Sequence, residues 1–320
     1  MTPVEKLPKI IAVVGPTASG KTDLAIKIAR KFAGEIVSAD SRQIYKGMDI
    51  GTAKPSAEEM AAVKHYLIDI KKPDEDYTVA EYKNDAIETI NKIIKRGKIP
   101  VLAGGTGLYI KAVVENLEIP SVKPDWKLRK KLEDKIKKEG LEKIYGELIE
   151  LDPEAAYIVD GKNTRRVIRA LEVAILSKKP FSAQRKKGKQ LFETLEIGIG
   201  LPYLALEKRI DKRIDGMIEN GLLNEVKKLI KKYGDKQIAF DAIGYREIIN
   251  YLAADNISVN PHSHQRKSAS NLKEVAEMIK KNTRAFSKRQ MTWFKKDKNI
   301  KWIKKEGEAL KLARKFLKDE

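Results

Sequence analysis

Apolar positions in the first third of the chain alternate between two periods. Residues 9–15 (KIIAVVG) form an unbroken, largely β-branched run closed by glycine, the pattern of a strand buried on both faces. Between Lys21 and Phe32, Leu24, Ala25, Ile28 and Ala29 share one helical face, and Gly34 marks the stop. Runs at 35–39 (EIVSA), 67–70 and 99–103 (IPVLA) predict further strands. Between Thr78 and Arg96, the positions Val79, Tyr82, Ala86, Ile90, Ile93 and Ile94 predict a long amphipathic helix closed by Gly97, and another helix begins at Leu108. Strands alternating with helices in this way predict an α/β fold, a parallel sheet flanked by helices.

The pattern changes after Pro120. Every periodic stretch from Asp125 to Ser177 is helical, and the polar, basic segment KKPFSAQRKKGKQ follows it. Residues 121–190 are therefore expected to form an all-helical insertion in a body made of residues 1–120 and 191–320. The sheet resumes at 194–199 (TLEIGI), followed by helices at 204–233, broken near Gly221, and at 241–252. A polar loop at 258–270, a long helix at 272–296, a short strand at 300–303 and a final helix complete the reading.

Composition narrows the setting. The 320 residues include no cysteine, which excludes disulfides, thiolate metal sites and a cysteine nucleophile, and makes a reducing cytoplasm the expected location. No run approaches the roughly 18 apolar residues of a membrane span, and the N-terminus leads straight into a strand, so neither a membrane segment nor a signal peptide is expected. Lys and Arg number 65 against 45 Asp and Glu, a formal charge of +20. Residues 121–190 hold +8 of this and residues 271–320 hold +9, leaving +3 for the other 200. Charge gathered in two stretches fits a surface that meets an extended polyanion; a lysine-rich helical protein can also drift positive without one.

The most specific chemistry lies at Gly15-Pro16-Thr17-Ala18-Ser19-Gly20-Lys21-Thr22. It satisfies G-x-x-x-x-G-K-[ST] directly after a predicted strand and at the start of a predicted helix, as a P-loop requires. The body is thus expected to be P-loop NTPase-like. Loop amides and the helix N-terminus would cradle a diphosphate, Lys21 would neutralise it, and Thr22 would offer a hydroxyl to Mg²⁺. ATP and other nucleotides are the usual ligands of such a loop. The predicted strand IPVLAGGTG, however, ends in glycines where an NTPase usually carries a metal-holding acid. A diphosphate that leaves in the reaction, with no nucleotide attached, fits equally.

Two further loops should reach the same crevice, because ligands of open parallel sheets bind at the carboxyl ends of the strands. Strand two runs into Ser38-Ala39-Asp40-Ser41-Arg42-Gln43. Asp40 is placed either to accept a proton from an incoming nucleophile or to cap the turn that follows it. The last predicted strand of this region ends in Gly104-Gly105-Thr106-Gly107, where Thr106 could donate to a leaving-group oxygen or serve as a helix cap.

Taken together, these residues resemble the tRNA dimethylallyltransferases, also called isopentenylpyrophosphate transferases. The likeness runs through GPTASGKT, SADSRQIYKGMDIGTAKP (38–55), HYLID (65–69), AGGTGLY (103–109), RRVIRALEV (165–173), AIGYRE (242–247) and TRAFSKRQMTWF (283–294), in family order. It implies Mg²⁺-dependent transfer of a dimethylallyl group from dimethylallyl diphosphate to N6 of the adenine 3′-adjacent to the anticodon of tRNA. By motif position, Asp40 resembles the general base and Thr106 the hydroxyl at the bridging oxygen. Ser41, Arg42 and Gln43 resemble the segment that reads the target base, and Arg209 and Arg213 the diphosphate-binding arginines. Arg129, Arg165, Arg166 and Arg169 fall where the family grips tRNA. Lys281, Arg284 and Lys288 share a basic helix face, which is either part of that grip or simply solvated. Asp160, Lys162 and Asp241 depart from the usual pattern, which commonly has histidine, asparagine and glutamine there. A monomer is the expected state. The competing classes are an adenylate isopentenyltransferase acting on free AMP, ADP or ATP, a small-molecule P-loop kinase, and a nucleotide-switched RNA-binding protein.

Overall fold

The structure is a computed structural model that describes residues 6–120, 122–184, 186–257 and 272–318. Its chain divides into two compact units, residues 1–110 with 191–320, and residues 111–190. The first boundary falls inside a helix, ahead of the Pro120 at which the sequence pattern changes.

The larger unit is built on one six-stranded parallel sheet. Its first half comprises β1 (Lys9–Val14), α1 (Lys21–Lys31), β2 (Gly34–Ser38), α2 (Ala57–Ala62), β3 (His65–Tyr66), α3 (Val79–Lys95), β4 (Ile99–Gly104) and the start of α4 (Gly107–Val114). The sheet order is β3-β2-β4-β1-β5-β6. Residues Ile10 to Val14 of the central strand are fully buried, so both of its faces are covered and the continuous apolar run is explained. On one face, Ile11 and Val13 pack with Leu24, Ala25, Ile28 and Ala29 of α1.

The smaller unit contains the four-helix set α5 (Trp126–Glu139), α6 (Leu141–Leu151), α7 (Ala155–Ile158) and α8 (Thr164–Ser177). Leu132, Ile144, Leu148, Val167 and Leu171 form its core. One buried carboxylate organises it. Glu172 accepts from Arg129 Nε at 2.8 Å and Nη2 at 2.9 Å, from Arg169 Nη1 at 2.6 Å, and from the Asp125 amide at 2.7 Å. Burial works to raise its pKa, and these donors outweigh burial and hold it below the usual carboxylate range.

The larger unit is completed by β5 (Glu193–Ile199), α9 (Tyr203–Glu219), α10 (Leu222–Tyr233), α11 (Tyr245–Ile257), α12 (Leu272–Phe294), β6 (Lys301–Ile303) and α13 (Glu306–Lys318). Ile210, Ile214, Leu222, Val226, Tyr245, Ile248 and Ile279 join α9 to α12 in one apolar cluster. Among the described residues no helix is long and apolar enough to cross a membrane.

Two expectations are corrected. The strand anticipated at 67–70 is instead His65–Tyr66, paired with Ile36 and Val37. Leu67 and Asp69 adopt left-handed backbone (φ 59° and 56°), and Asp69 is held by the buried ammonium of Lys54 at 2.6 Å; tertiary contacts override the strand-like composition. The helix anticipated from Asp241 begins at Tyr245, after a 3₁₀ turn at Ile238–Asp241. Gly244 takes φ 97° and its amide donates to Glu247 at 2.7 Å, which fixes the later start. The polar loop read at 258–270 lies outside the described residues.

Glu35 of β2 is 3% exposed and accepts from Arg96 Nη2 and Lys98 Nζ, both at 2.6 Å, and from Tyr66 Oη at 2.8 Å. Burial raises its pKa, and the three donors overcome that and bring it to about 2. Because the folded value lies below the unfolded one, the contribution is complete above the ordinary glutamate range and is lost as pH falls toward 2. Glu35→Gln is expected to cost about 2 kcal/mol at neutral pH. Thermal melts of both proteins between pH 7 and 2 should show that gap closing on the acid side.

Candidate active site

Strand order puts the three sequence candidates side by side. β2, β4 and β1 are neighbours, with Ser38 opposite Ala103 and Val14 opposite Gly104. The loops leaving these strands carry Asp40, Thr106 and the cradle. They line one cleft of about 440 Å³, together with Arg213, Ile214 and Met217 of α9 and Ile279, Asn282, Phe286, Arg289 and Gln290 of α12.

The cradle has the backbone that its glycines predict. Gly15 takes φ 151° and Gly20 φ 93°, and Ala18 between them is also left-handed at φ 62°. Pro16 and Ala18 of the loop are buried. Gly20 is the N-cap of α1, whose first amides have no side-chain cap, the arrangement that attracts an anion. Lys21 Nζ donates to Pro16 O at 2.8 Å across the loop. Desolvation lowers its pKa to about 8, opposed by Asp40 and assisted by Arg213. Arg209 and Arg213, one turn apart on α9, both reach the loop, at Ser19 O (3.3 Å) and Thr17 Oγ1 (3.5 Å).

Thr22 lines the cleft with a hard hydroxyl oxygen. Ser19 Oγ in the same loop is buried without a hydrogen-bond partner among the described residues. Among those residues no three His, Cys, Asp or Glu side chains form a metal cluster. This donor set fits a Mg²⁺ ion that is carried chiefly by phosphate oxygens and water, and not an ion caged by protein.

Asp40 serves as a turn acceptor as well as a cleft group. Its Oδ1 accepts from Arg42 N at 2.9 Å and Gln43 N at 3.4 Å, which leaves the second carboxylate oxygen outside that turn. Thr106 N donates to Ala39 O at 3.1 Å. Thr106 Oγ1 accepts from Ser41 N at 3.0 Å and donates to Ser41 Oγ at 3.3 Å. Arg42 and Gln43 line the cleft, yet their side chains also brace it. Arg42 Nη1 donates to Ile238 O and Ala239 O, and Gln43 Nε2 to Thr52 O and Ala53 O.

One residue of the site was not foreseen. Gln290 of α12 is 7% exposed; its Oε1 accepts from Thr17 N at 2.8 Å and its Nε2 donates to Gly105 O at 2.9 Å. The signal available in the sequence was a helical stripe of polar residues, Thr283, Ser287 and Gln290, all of them buried. Gly105 and Gly107 of the β4 loop make room for the approach of α12. A Cβ on Gly105 would lie 2.5 Å from Gln290 Nε2, and one on Gly107 would overlap the Trp293 ring.

The family model described as IPP transferase matches residues 43–297. The chain belongs to the IPP transferase family. It is 45% identical over 301 residues to a tRNA dimethylallyltransferase of Acetivibrio thermocellus, covering 93% of this chain and 92% of the relative. A second such enzyme, from Halothermothrix orenii, is 42% identical and is matched over 97% and 94%. Among solved structures, the tRNA isopentenylpyrophosphate transferase of Bacillus halodurans superposes with a TM-score of 0.70 at 36% identity, over 97% of both chains. A eukaryotic dimethylallyltransferase acting on tRNA superposes with a TM-score of 0.69 at 28% identity, over 90% of this chain and 70% of that one.

Seven basic residues of this IPP transferase, expected at a tRNA surface, fall into two groups. Arg165 and Arg166 on the first turn of α8 are exposed, as are Lys281 and Lys288 on α12, and Lys288 lies 4.5 Å from the Tyr203 ring centroid. Arg129 and Arg169 direct their guanidinium groups to Glu172, and Arg284 forms a two-pronged pair with Asp211 of α9. The second group ties helices together within each unit.

The Lys21 value has a measurable consequence. Calorimetric titration with inorganic pyrophosphate should show tighter binding by the wild type than by Lys21→Met below pH 8. That advantage should shrink as pH rises through about 8, where the free ammonium loses its proton.

Proposed function

We propose that this protein transfers the dimethylallyl group of dimethylallyl diphosphate to N6 of the adenine 3′-adjacent to the anticodon of tRNA, and that the cleft between the three strand-end loops is where it does so. The observation that carries the reading is the convergence of an anion cradle, a carboxylate and a hydroxyl on neighbouring parallel strands. That convergence occurs in a chain whose relatives over nearly its full length are named for dimethylallyl transfer to tRNA.

In this reaction the N6 lone pair forms a bond to C1 of the allyl group as the C1–O bond breaks, and diphosphate leaves with that electron pair. The exocyclic amine is conjugated to the purine ring and is a weak nucleophile. Asp40 accepts its proton as the bond forms, which lowers the barrier. Thr106 donates to the oxygen on which charge develops. Lys21, the cradle amides, Arg209 and Arg213 stabilise the departing diphosphate. Mg²⁺ held by Thr22 and the diphosphate would supply further neutralisation of that leaving group. The target base must leave its stack to enter the cleft, which costs least in a single-stranded anticodon loop.

The rivals fit less well. A free mononucleotide needs no 80-residue helical unit such as 111–190, with its exposed arginines on α8. A kinase would be expected to carry a metal-binding acid at the end of β4, where glycines stand.

Asp40→Asn separates the two roles of this side chain, because the amide oxygen can still accept from Arg42 and Gln43 while the proton acceptor is gone. Incorporation of labelled dimethylallyl diphosphate into unmodified tRNA should fall by about 10²–10⁴-fold, with the fold unchanged by circular dichroism. Replacing Arg165 and Arg166 with glutamate should weaken tRNA binding in a filter assay and leave pyrophosphate binding intact. Wild-type tRNA affinity itself should drop steeply with added salt.

A further inference from the structure

Gln290 contacts neither Asp40 nor Thr106 through any hydrogen bond, yet it joins the two loops that must act together on the leaving group. Its carboxamide spans from Thr17 N, in the cradle, to Gly105 O, beside Thr106. The orientation is forced, since a backbone N–H can only donate and a carbonyl can only accept. Neither loop is tied to the other by strand pairing at this point. β1 and β4 stop pairing at Val14 and Gly104, and a single buried amide bridges the next step of both chains. The side chain comes from α12, which the same face buries through Ile279, Thr283, Ser287 and Phe294.

We infer that Gln290 is a positioning residue for the transfer reaction: it sets the distance between the diphosphate cradle and the Thr106 hydroxyl, so that both meet the same departing oxygen. A hydroxyl aimed at developing charge is effective only when it is held in place before the reaction, and displacement by about 1 Å can cost on the order of 10²-fold in rate. The inference rests on the transfer reading above.

The test is a double-mutant cycle in the steady-state kinetics of transfer to an unmodified tRNA transcript. Gln290→Met removes both hydrogen bonds at nearly constant volume, and Thr106→Val removes the hydroxyl. The expected result is a loss of about 10²-fold in kcat for Gln290→Met, with a much smaller change in KM for tRNA. In the Thr106→Val background the same change should cost less than about threefold more, because the group it positions is already absent. A folded Gln290→Met enzyme with wild-type kcat would overturn the inference, and so would two losses that multiply. If that variant does not fold, Gln290→Glu keeps the shape and the acceptor for Thr17 but removes the donor to Gly105. Its kcat should also fall, and an unchanged kcat would overturn the inference. Absence of transfer by the wild type itself would instead remove the functional reading on which the inference stands.

Discussion

Parallel pairing of β2, β4 and β1 is the constraint on which the rest of the structure depends. In a parallel sheet all three strands end at the same edge, so three loops distant in sequence leave the sheet together. The pairing then continues one step beyond the strands, through Ala39 N to Ala103 O and Thr106 N to Ala39 O. This continuation brings the Asp40 loop and the Thr106 loop into backbone contact. It also explains Gly104, since a Cβ there would overlap Ala39 backbone atoms. Specificity of placement comes from backbone geometry, and Asp40 and Thr106 are short side chains mounted on it.

Electrostatics divides along the same lines. The cleft gathers few charges, one lysine and two arginines, beside the uncapped amides of the loop. The formal +20 of the chain lies mostly elsewhere, but it is not one uniform RNA-facing coat. Arg129 and Arg169 stabilise Glu172, Arg284 stabilises Asp211, and Lys280 pairs with Asp215 and Glu277. Arg165, Arg166, Lys281 and Lys288 are exposed at the surface. Counting charge by segment located the basic regions, and the structure separates the cations that hold helices together from those that face outward.

How much could be read from the sequence depended on how local each signal was. The cradle was legible because eight consecutive residues carry its whole geometry, and the strand before and helix after it confirm the context. Asp40 and Thr106 were legible because alternating strands and helices imply a parallel sheet, and its strand ends share one edge. The turn-acceptor use expected of Asp40 is present, and the residue also lines the cleft. The third strand was misplaced because Leu67 and Asp69 look extended by composition, while the contact of Asp69 with Lys54 holds the segment in left-handed turns. The late start of α11 depends on Glu247 reaching Gly244, which no helical periodicity records. Gln290 was least legible of all, since its two partners lie 273 and 185 residues away in the chain.

Dimethylallyl transfer in this cleft requires the diphosphate to sit on the β1 loop while the reacting carbon faces Asp40 and Thr106. A crystal structure with Mg²⁺ and an unreactive thio analogue of dimethylallyl diphosphate tests it most directly. Diphosphate oxygens are expected within hydrogen-bond reach of Lys21 and the amides of the cradle, with the bridging atom beside Thr106 and the allylic carbon on the side of Asp40. An analogue bound outside the cleft, or in the cradle with its allyl group turned away from Asp40, would contradict it.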